Sequence, residues 1–179
     1  MLSTAILLVS TRTAEISGVV TDGGRPVADA VVYLEGGPHA SAGHATVDQR
    51  HETFLPHIQV VPVGSRIDFP NNDDVFHNVY AEFQAKRFDL GVYPKGQSKH
   101  VTFDKQGVVS VRCNVHSQMS AYIIVVDSPY FAKTDSRGRF RISDVVDHGY
   151  TVRVWHESGK SATMRINGPQ EGLSLSLQR

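Results

Sequence analysis

The sequence predicts an all-β protein, and three observations support this. Apolar residues fall in short segments that are rich in β-branched and aromatic side chains. Clusters of Gly, Pro, Asn and Asp, which are typical of turns, separate these segments. No segment keeps a helical period over three turns, so the chain lacks the pattern of an amphipathic helix.

The predicted strands follow one another along the whole chain. Within each one, alternate side chains point to opposite faces, so a row of apolar residues at every second position indicates the face that meets a core. Turn residues such as Asp22-Gly-Gly-Arg-Pro26 between the first two strands predict tight hairpins. The predicted strands are Ile16–Thr21, Ala30–Leu34, Ser65–Phe69, Val75–Tyr80, Val108–Cys113, Ala121–Val126, Arg139–Ile142 and Tyr150–Trp155.

Composition excludes several classes of protein. The chain has 179 residues, with 18 basic and 18 acidic side chains, so it carries no net charge that would favour nucleic acid or an anionic membrane. No apolar run approaches the about 18 residues that a membrane-spanning helix needs. Cys113 is the single cysteine, so an intrachain disulfide is excluded and the thiol is a buried apolar group, a reactive group or a metal ligand.

The first residues contain an apolar stretch, Met1–Ser10, that is typical of the core of a secretory signal. The positively charged start of such a signal is missing. We therefore expect residues 1–14 to be the remnant of a signal segment and the protein to be exported, to the periplasm if the source is bacterial. The alternatives are a first β-strand or a clipped N terminus.

The two ends of the chain share a pattern that the middle lacks. Residues 15–37 contain Gly-Arg-Pro-Val-Ala-Asp-Ala, and residues 131–179 contain Thr-Asp-Ser-Arg-Gly-Arg-Phe followed by Gly-Tyr. Joined, they resemble the carboxypeptidase regulatory-like (transthyretin-like) β-sandwich. This resemblance implies that residues 47–127 form a second β-domain inserted in a loop of the first, which exposed loops tolerate. The alternative is one continuous sandwich with an elaborated edge.

The run Cys113-Asn-Val-His116-Ser-Gln-Met119 points to a metal site. A copper ion that alternates between Cu(I) and Cu(II) favours one thiolate, two imidazoles and a weak thioether. This run supplies a thiol, an imidazole and a thioether from one short loop, so a second imidazole must come from elsewhere in the chain.

His77 is the candidate for that second imidazole. Because side chains alternate along a strand, Val75, His77 and Val79 should form one core-facing row, and Val109, Val111 and Cys113 another. Each potential ligand then continues an apolar row, and the two strands should bring them together at the edge of the core.

The segment 47–127 resembles the cupredoxins, the type 1 (blue) copper proteins, through His77-Asn-Val, the strand that ends at Cys113 and the Cys-x2-His-x2-Met spacing of amicyanin. It is also similar to periplasmic methylamine-utilisation and plastocyanin-like proteins. The resemblance implies a Greek-key β-barrel or sandwich that binds one copper ion. It implies that His77 and His116 are imidazole ligands, Cys113 the thiolate and Met119 the long axial ligand. It also implies that Asn78 braces the thiolate loop by hydrogen bonding.

The expected function is single-electron transfer between redox partner proteins that dock weakly near His116, without catalysis. A multicopper oxidase or copper nitrite reductase would need a His-Cys-His run, whereas Arg112 and Asn114 flank Cys113. A binuclear purple copper site would need a second cysteine. An axial Met argues against zinc. A copper chaperone or sensor remains the alternative, and a second metal site could involve four of the other histidines, His39, His44, His51 and His57.

Overall fold

A computed structural model describes residues 13–82 and 85–179. Within these two ranges the chain forms eighteen strands and no helix, so the predicted all-β class is confirmed. Consistent with this, the described residues include no helix that could cross a membrane. The predicted signal remnant, residues 1–14, lies outside the described residues except for its last two, which begin the first strand.

The chain separates into two compact units, which we name by their place along the sequence. The central unit is Pro38–Pro129. The terminal unit combines the residues up to Gly37 with Tyr130–Arg179. The assignment of the terminal segments to a transthyretin-like domain stays a prediction.

The central unit contains two larger sheets and a small hairpin. Its strands are β4 His44–Thr46, β5 Asp48–Arg50, β6 Thr53–Leu55, β7 Ile58–Pro62, β8 Ser65–Pro70, β9 His77–Ala81, β10 Phe88–Tyr93, β11 Ser98–Phe103, β12 Gly107–Arg112 and β13 Ser120–Val126. One sheet has the order β10-β9-β12-β13-β7, the other β11-β8-β4, and the hairpin is β5-β6. Strand β7 runs parallel to β13, whereas β12 pairs antiparallel with both β9 and β13.

The core of the central unit joins the inner faces of its two larger sheets. Ile67 and Phe69 of β8 belong to the same buried cluster as Val109 and Val111 of β12 and Ile123 of β13. All five are fully buried. Cys113 and Met119 belong to the same cluster, so two predicted ligands lie at the margin of an apolar core.

The terminal unit has its own pair of sheets and its own core. Its strands are β1 Thr13–Asp22, β2 Arg25–Pro26, β3 Val31–Glu35, β14 Phe131–Lys133, β15 Arg139–Val146, β16 Tyr150–Trp155, β17 Ser161–Ile166 and β18 Leu173–Ser176. The sheets have the orders β15-β1-β18, with β2 paired to β1, and β14-β3-β16-β17. Strand β1 approaches β18 so closely that a Cβ at Gly18 would clash with the Leu173 carbonyl oxygen, which requires glycine there.

Candidate metal centre

His77 is the first residue of β9 and is completely buried. Val79 continues its core-facing row, as predicted, but Val75 does not, since its exposed fraction is 39%. The inclusion of Val75 in that row was wrong because the pairing of β9 with β10 ends at the His77–Tyr93 pair. Residues before His77 form a turn, in which strand alternation no longer applies.

Cys113 follows β12 directly, and the predicted alternation holds here. Val109 and Val111 are fully buried and Cys113 is nearly so. The loop that follows is closed by two backbone hydrogen bonds. The Cys113 N–H donates to the Met119 carbonyl oxygen at 3.3 Å, and the Met119 N–H donates to the His116 carbonyl oxygen at 3.0 Å. The loop therefore folds back on itself, and the Met119 side chain is buried.

The side chains of His77, Cys113 and His116 converge from these two segments. The Nδ1 atoms of the two imidazoles lie 3.1 Å apart, and the Cys113 Sγ lies 4.0 Å from the His77 Nδ1. One ligand atom from each residue lies within 4.8 Å of the others. In the described part of the chain, this is the one cluster of three or more such groups able to hold a metal ion.

Asn78 lies behind the thiol. Its backbone N–H donates to the Cys113 Sγ at 3.4 Å, and its Oδ1 accepts the Asn114 N–H at 3.4 Å. The Asn78 Nδ2 donates to Asp89 at 2.7 Å. These contacts connect β9, β10 and the loop after β12, so they fix both the sulfur and the start of its loop.

Two carboxylates, which the sequence analysis did not identify as part of the site, face the outer edges of the imidazoles. The Asp73 Oδ2 lies 2.9 Å from the His77 Nε2. The Glu52 Oε1 lies 3.9 Å from the His116 Nε2, and the Glu52 Oε2 accepts a hydrogen bond from the Gln118 Nε2 at 2.6 Å. The Asp73 contact is at hydrogen-bond distance, and an Nε2–H that donates to a carboxylate leaves the Nδ1 lone pair of His77 free for a metal. The Glu52 contact with His116 is an ion-pair distance only.

The Asp73 carboxylate is held in its ionised form. The Glu52 backbone N–H donates to it at 2.7 Å. This hydrogen bond is the main cause that lowers the pKa of Asp73 to about 2, with a smaller contribution from His77 and against a partial opposing effect of burial. A negative charge therefore stands next to His77 throughout the neutral range.

A buried polar network supports the turn that carries Asp73. The Asn71 Oδ1 accepts the Asp73 N–H, while the Asn71 Nδ2 donates to the carbonyl oxygens of Val75 and Tyr93. The Tyr93 hydroxyl donates to the Phe69 carbonyl oxygen at 2.9 Å. It also accepts a hydrogen bond from Gln49. Burial raises the pKa of Tyr93 to about 12. The turn before His77 is thus fixed from within the core.

The structure places the other candidate histidines away from this cluster. The His39 Nδ1 lies 2.7 Å from Asp127, and the His44 Nε2 lies 2.7 Å from Asp68. The His57 Nδ1 lies 3.0 Å from the Ser120 carbonyl oxygen. His51 lies in the turn between β5 and β6. None of the four belongs to a cluster of three metal-binding groups among the described residues.

The donor set fits copper. Thiolate and imidazole are ligands of intermediate to high softness, which suit copper and exclude the oxygen-preferring Ca²⁺ and Mg²⁺. The two nitrogens and the sulfur match the His-Cys-His donors that a type 1 copper site requires, and a buried thioether lies in the same loop. When bound, copper would supply a one-electron couple. The cluster is a candidate copper site.

The sequence matches no family model and no curated protein. Among solved structures, the chain is similar to a purple cupredoxin from Nitrosopumilus maritimus, with 20% identity over 46% of this chain and 99% of that one and a TM-score of 0.42. A reduced amicyanin variant is 19% identical over 53% of this chain and 98% of that one, with a TM-score of 0.44. A Cu-containing nitrite reductase from Thermus scotoductus SA-01 is 23% identical over 62% of this chain and 25% of that one, with a TM-score of 0.45.

Proposed function

We propose that this protein is a mononuclear type 1 copper protein that transfers single electrons between redox partners. The proposed ligands are His77, Cys113, His116 and Met119. The observation that carries the proposal is the convergence of two imidazole Nδ1 atoms and one thiol sulfur within 4.8 Å at the margin of an apolar core.

Burial of the ligands favours electron transfer over catalysis. His77, Cys113 and Met119 are exposed by 3% or less, so three of the four proposed ligands are closed to a dissolved substrate. The two strands, the closed loop and the hydrogen bonds of Asn78 fix the positions of the donors. A fixed geometry that suits both oxidation states reduces the rearrangement that accompanies each electron.

His116 is the proposed point of electron exit. It is the most exposed of the four, with 20% of its side chain accessible. Large apolar side chains next to the ligands in sequence are exposed as well: 45% for Val115, 57% for Phe76 and 39% for Val75. Exposed apolar groups of this kind support a docking surface for a partner. Electron-transfer partners typically associate through small, weak interfaces.

A copper chaperone or sensor is the second candidate, because such proteins also use His, Cys and Met. Copper delivery requires ligands that a recipient can reach. The burial of the thiol and thioether therefore favours the electron carrier. We also propose export to the periplasm, since an apolar segment begins the chain, and a transthyretin-like sandwich for the terminal unit.

The experiment that separates these functions uses the full chain loaded with one equivalent of copper. The protein is cycled between ascorbate and ferricyanide in the presence of an excess of a Cu(I) chelator, and the coloured chelate is measured. An electron carrier should complete many cycles with little copper loss. Rapid transfer of Cu(I) to the chelator would contradict the proposal and favour the chaperone. His116→Ala should release copper faster, whereas His57→Ala serves as the matched control and should not.

A further inference from the structure

The hairpin β5–β6 has an unusual turn. Arg50 pairs with Thr53, so His51 and Glu52 alone form the two-residue connection. Both have positive φ, 50° for His51 and 53° for Glu52. A turn with two positive φ angles strongly prefers Asn-Gly or a similar pair, because other side chains are strained there by roughly 1–2 kcal/mol each. A charged residue at the second position therefore calls for a physical reason.

The turn brings Glu52 against the candidate copper site in two ways. Its backbone N–H and the Nε2 of His77 contact the same oxygen, Oδ2 of Asp73, at 2.7 and 2.9 Å. Its own carboxylate faces the His116 Nε2 at 3.9 Å and is held there by the side chain of Gln118. One turn residue is thus connected to both imidazoles.

Anchoring of the hairpin does not depend on Glu52. Gln49 and Phe54, which pair across the hairpin, are completely buried. Asp48 accepts further hydrogen bonds from the side chains of Arg50 and Asn72. An Asn-Gly turn would close the same hairpin with less strain. An Asn-Gly turn would also keep the backbone N–H that donates to Asp73, so the strained position corresponds to the contacts of the Glu52 carboxylate with His116 and Gln118.

We propose that Glu52 and Asp73 are positioning residues that hold both imidazoles with Nδ1 toward Cys113 and favour Cu(II) over Cu(I). This rests on the proposed copper function. Asp73 accepts the Nε2–H of His77, which fixes the tautomer of that imidazole and strengthens it as a donor, whereas Glu52 orients His116 through its charge at 3.9 Å. Two negative charges beside the site add an electrostatic preference for the ion of higher charge.

The expected effects follow the contact distances. Asp73→Ala removes both the acceptor and the charge, so we expect roughly 100-fold weaker Cu(II) binding, at the upper end for such outer contacts. Asp73→Asn keeps an acceptor oxygen and should recover about tenfold of the lost Cu(II) affinity. Both variants remove the negative charge, so the reduction potential should be higher than that of the wild type in each of them. Glu52→Gln should have a smaller effect, because its carboxylate is half-exposed and farther from the imidazole.

The test measures Cu(II) affinity by chelator competition, the reduction potential by redox titration and the visible spectrum, all on the full chain. Asp68→Asn is the matched control, since Asp68 also pairs with an imidazole, that of His44, outside the cluster. The double variant His51→Asn/Glu52→Gly separates turn geometry from the charge. Without metal, the double variant should unfold at the same temperature as the wild type or at a higher one. With copper, its reduction potential should exceed that of the wild type, as should the potential of Glu52→Gln, because both lack the Glu52 charge.

The proposal is overturned if Asp73→Asn and Glu52→Gln both keep the wild-type reduction potential and bind Cu(II) with an affinity within twofold of the wild type. That unchanged result is the one expected of the control, Asp68→Asn. It is also overturned if the double variant loses stability and copper affinity together, since the turn would then be structural only. Failure of the copper function itself gives a different result. In that case the wild-type protein with Cu(II) lacks the thiolate-to-copper colour, whatever the variants do.

Discussion

The two units of this protein have similar architecture but different cores. Each has two main sheets around one apolar cluster. In the terminal unit, Thr134 is the one polar residue buried within the described chain. In the central unit, the buried polar residues are Gln49, Ser65, Asn71, His77, Asn78 and Ser128.

The difference lies at the candidate metal centre. A buried polar group costs stability unless it is hydrogen-bonded, so a core built for stability alone excludes such groups. In the central unit, Asn71, His77 and Asn78 lie together at one end of β9, and nearly all their polar atoms have partners. The network replaces apolar packing at the place where Cys113 and His116 converge. In the described core of the terminal unit, apolar packing is interrupted only by Thr134 and by the hydroxyl of Tyr150.

The largest difference between the two units should be produced by Cys113→Ser, which should affect copper binding in the central unit and leave the terminal unit unchanged. Loss of the thiolate should abolish the visible colour of the Cu(II) protein and weaken copper binding by at least about 100-fold, because the softest donor is removed. Visible absorption and chelator competition measure both quantities. Thermal unfolding of the terminal unit should not change. Retained colour would show that Cys113 is not a ligand.

Core truncations should affect stability in both units but copper in only one. Leu34→Ala in the terminal unit and Ile123→Ala in the central unit remove fully buried side chains. Each should lower the free energy of unfolding by about 2–5 kcal/mol. Copper should raise the unfolding temperature of Ile123→Ala, because a bound ligand stabilises the unit that binds it. The Cu(II) spectrum of Leu34→Ala should equal that of the wild type, and a changed spectrum would contradict the separation of roles.

Alkaline pH should weaken the central unit through Tyr93. Its pKa in the folded protein is about 12, above the ordinary 10.0, because the phenol is buried. The stability that this shift contributes is complete below about pH 10 and is lost as the pH rises toward 12, by about 2–3 kcal/mol in total. Denaturant unfolding of the metal-free protein at several pH values measures it. Tyr93→Phe should flatten this slope while costing about 1 kcal/mol at neutral pH from lost hydrogen bonds.

An equal slope in Tyr93→Phe would assign the alkaline loss to other tyrosines. The pKa of Tyr150 in the terminal unit is also raised by burial. Tyr150→Phe is therefore the matched comparison.

The smallest effect should come from Met119→Gln. An amide oxygen is a harder donor than a thioether and favours Cu(II). The colour should persist, and the preference for Cu(II) over Cu(I) should increase about tenfold, which lowers the reduction potential by about 59 mV. Met164→Gln, a partly buried methionine of the terminal core, is the control and should leave the potential unchanged. An unchanged potential in Met119→Gln would show that its sulfur is not a copper ligand.

Strand periodicity was sufficient to predict part of the site. The row Val109, Val111 and Cys113 faces the core because β12 pairs regularly with β13 along its whole length. The prediction that Val75 faces the core was wrong because strand pairing ends at His77. Where a strand ends depends on the strand it pairs with, which its own sequence does not specify. The close approach of His77 and His116 was predicted from the resemblance to a known family and from the Cys-x2-His-x2-Met spacing, both of which can be read from the sequence.

The outer carboxylates could not be predicted in the same way. Glu52 reaches Gln118 across 66 positions of sequence and Asp73 across 21. Strands β5 and β6 have three residues each, too few for a periodic signal. The turn between them, His51-Glu52, has none of the glycine or asparagine that identifies a hairpin. The fold brings Glu52 to His116, whereas Asp73 lies only four positions before His77 and meets it through the conformation of the segment between them.

The central claim is that a thiolate from Cys113 and imidazoles from His77 and His116 bind one copper ion. The most direct test is the visible absorption spectrum of the full chain titrated with Cu(II). We predict an intense sulfur-to-copper charge-transfer band that saturates at one equivalent and disappears on reduction with ascorbate. A pale complex with weak absorption alone, or saturation at a different stoichiometry, would contradict the account.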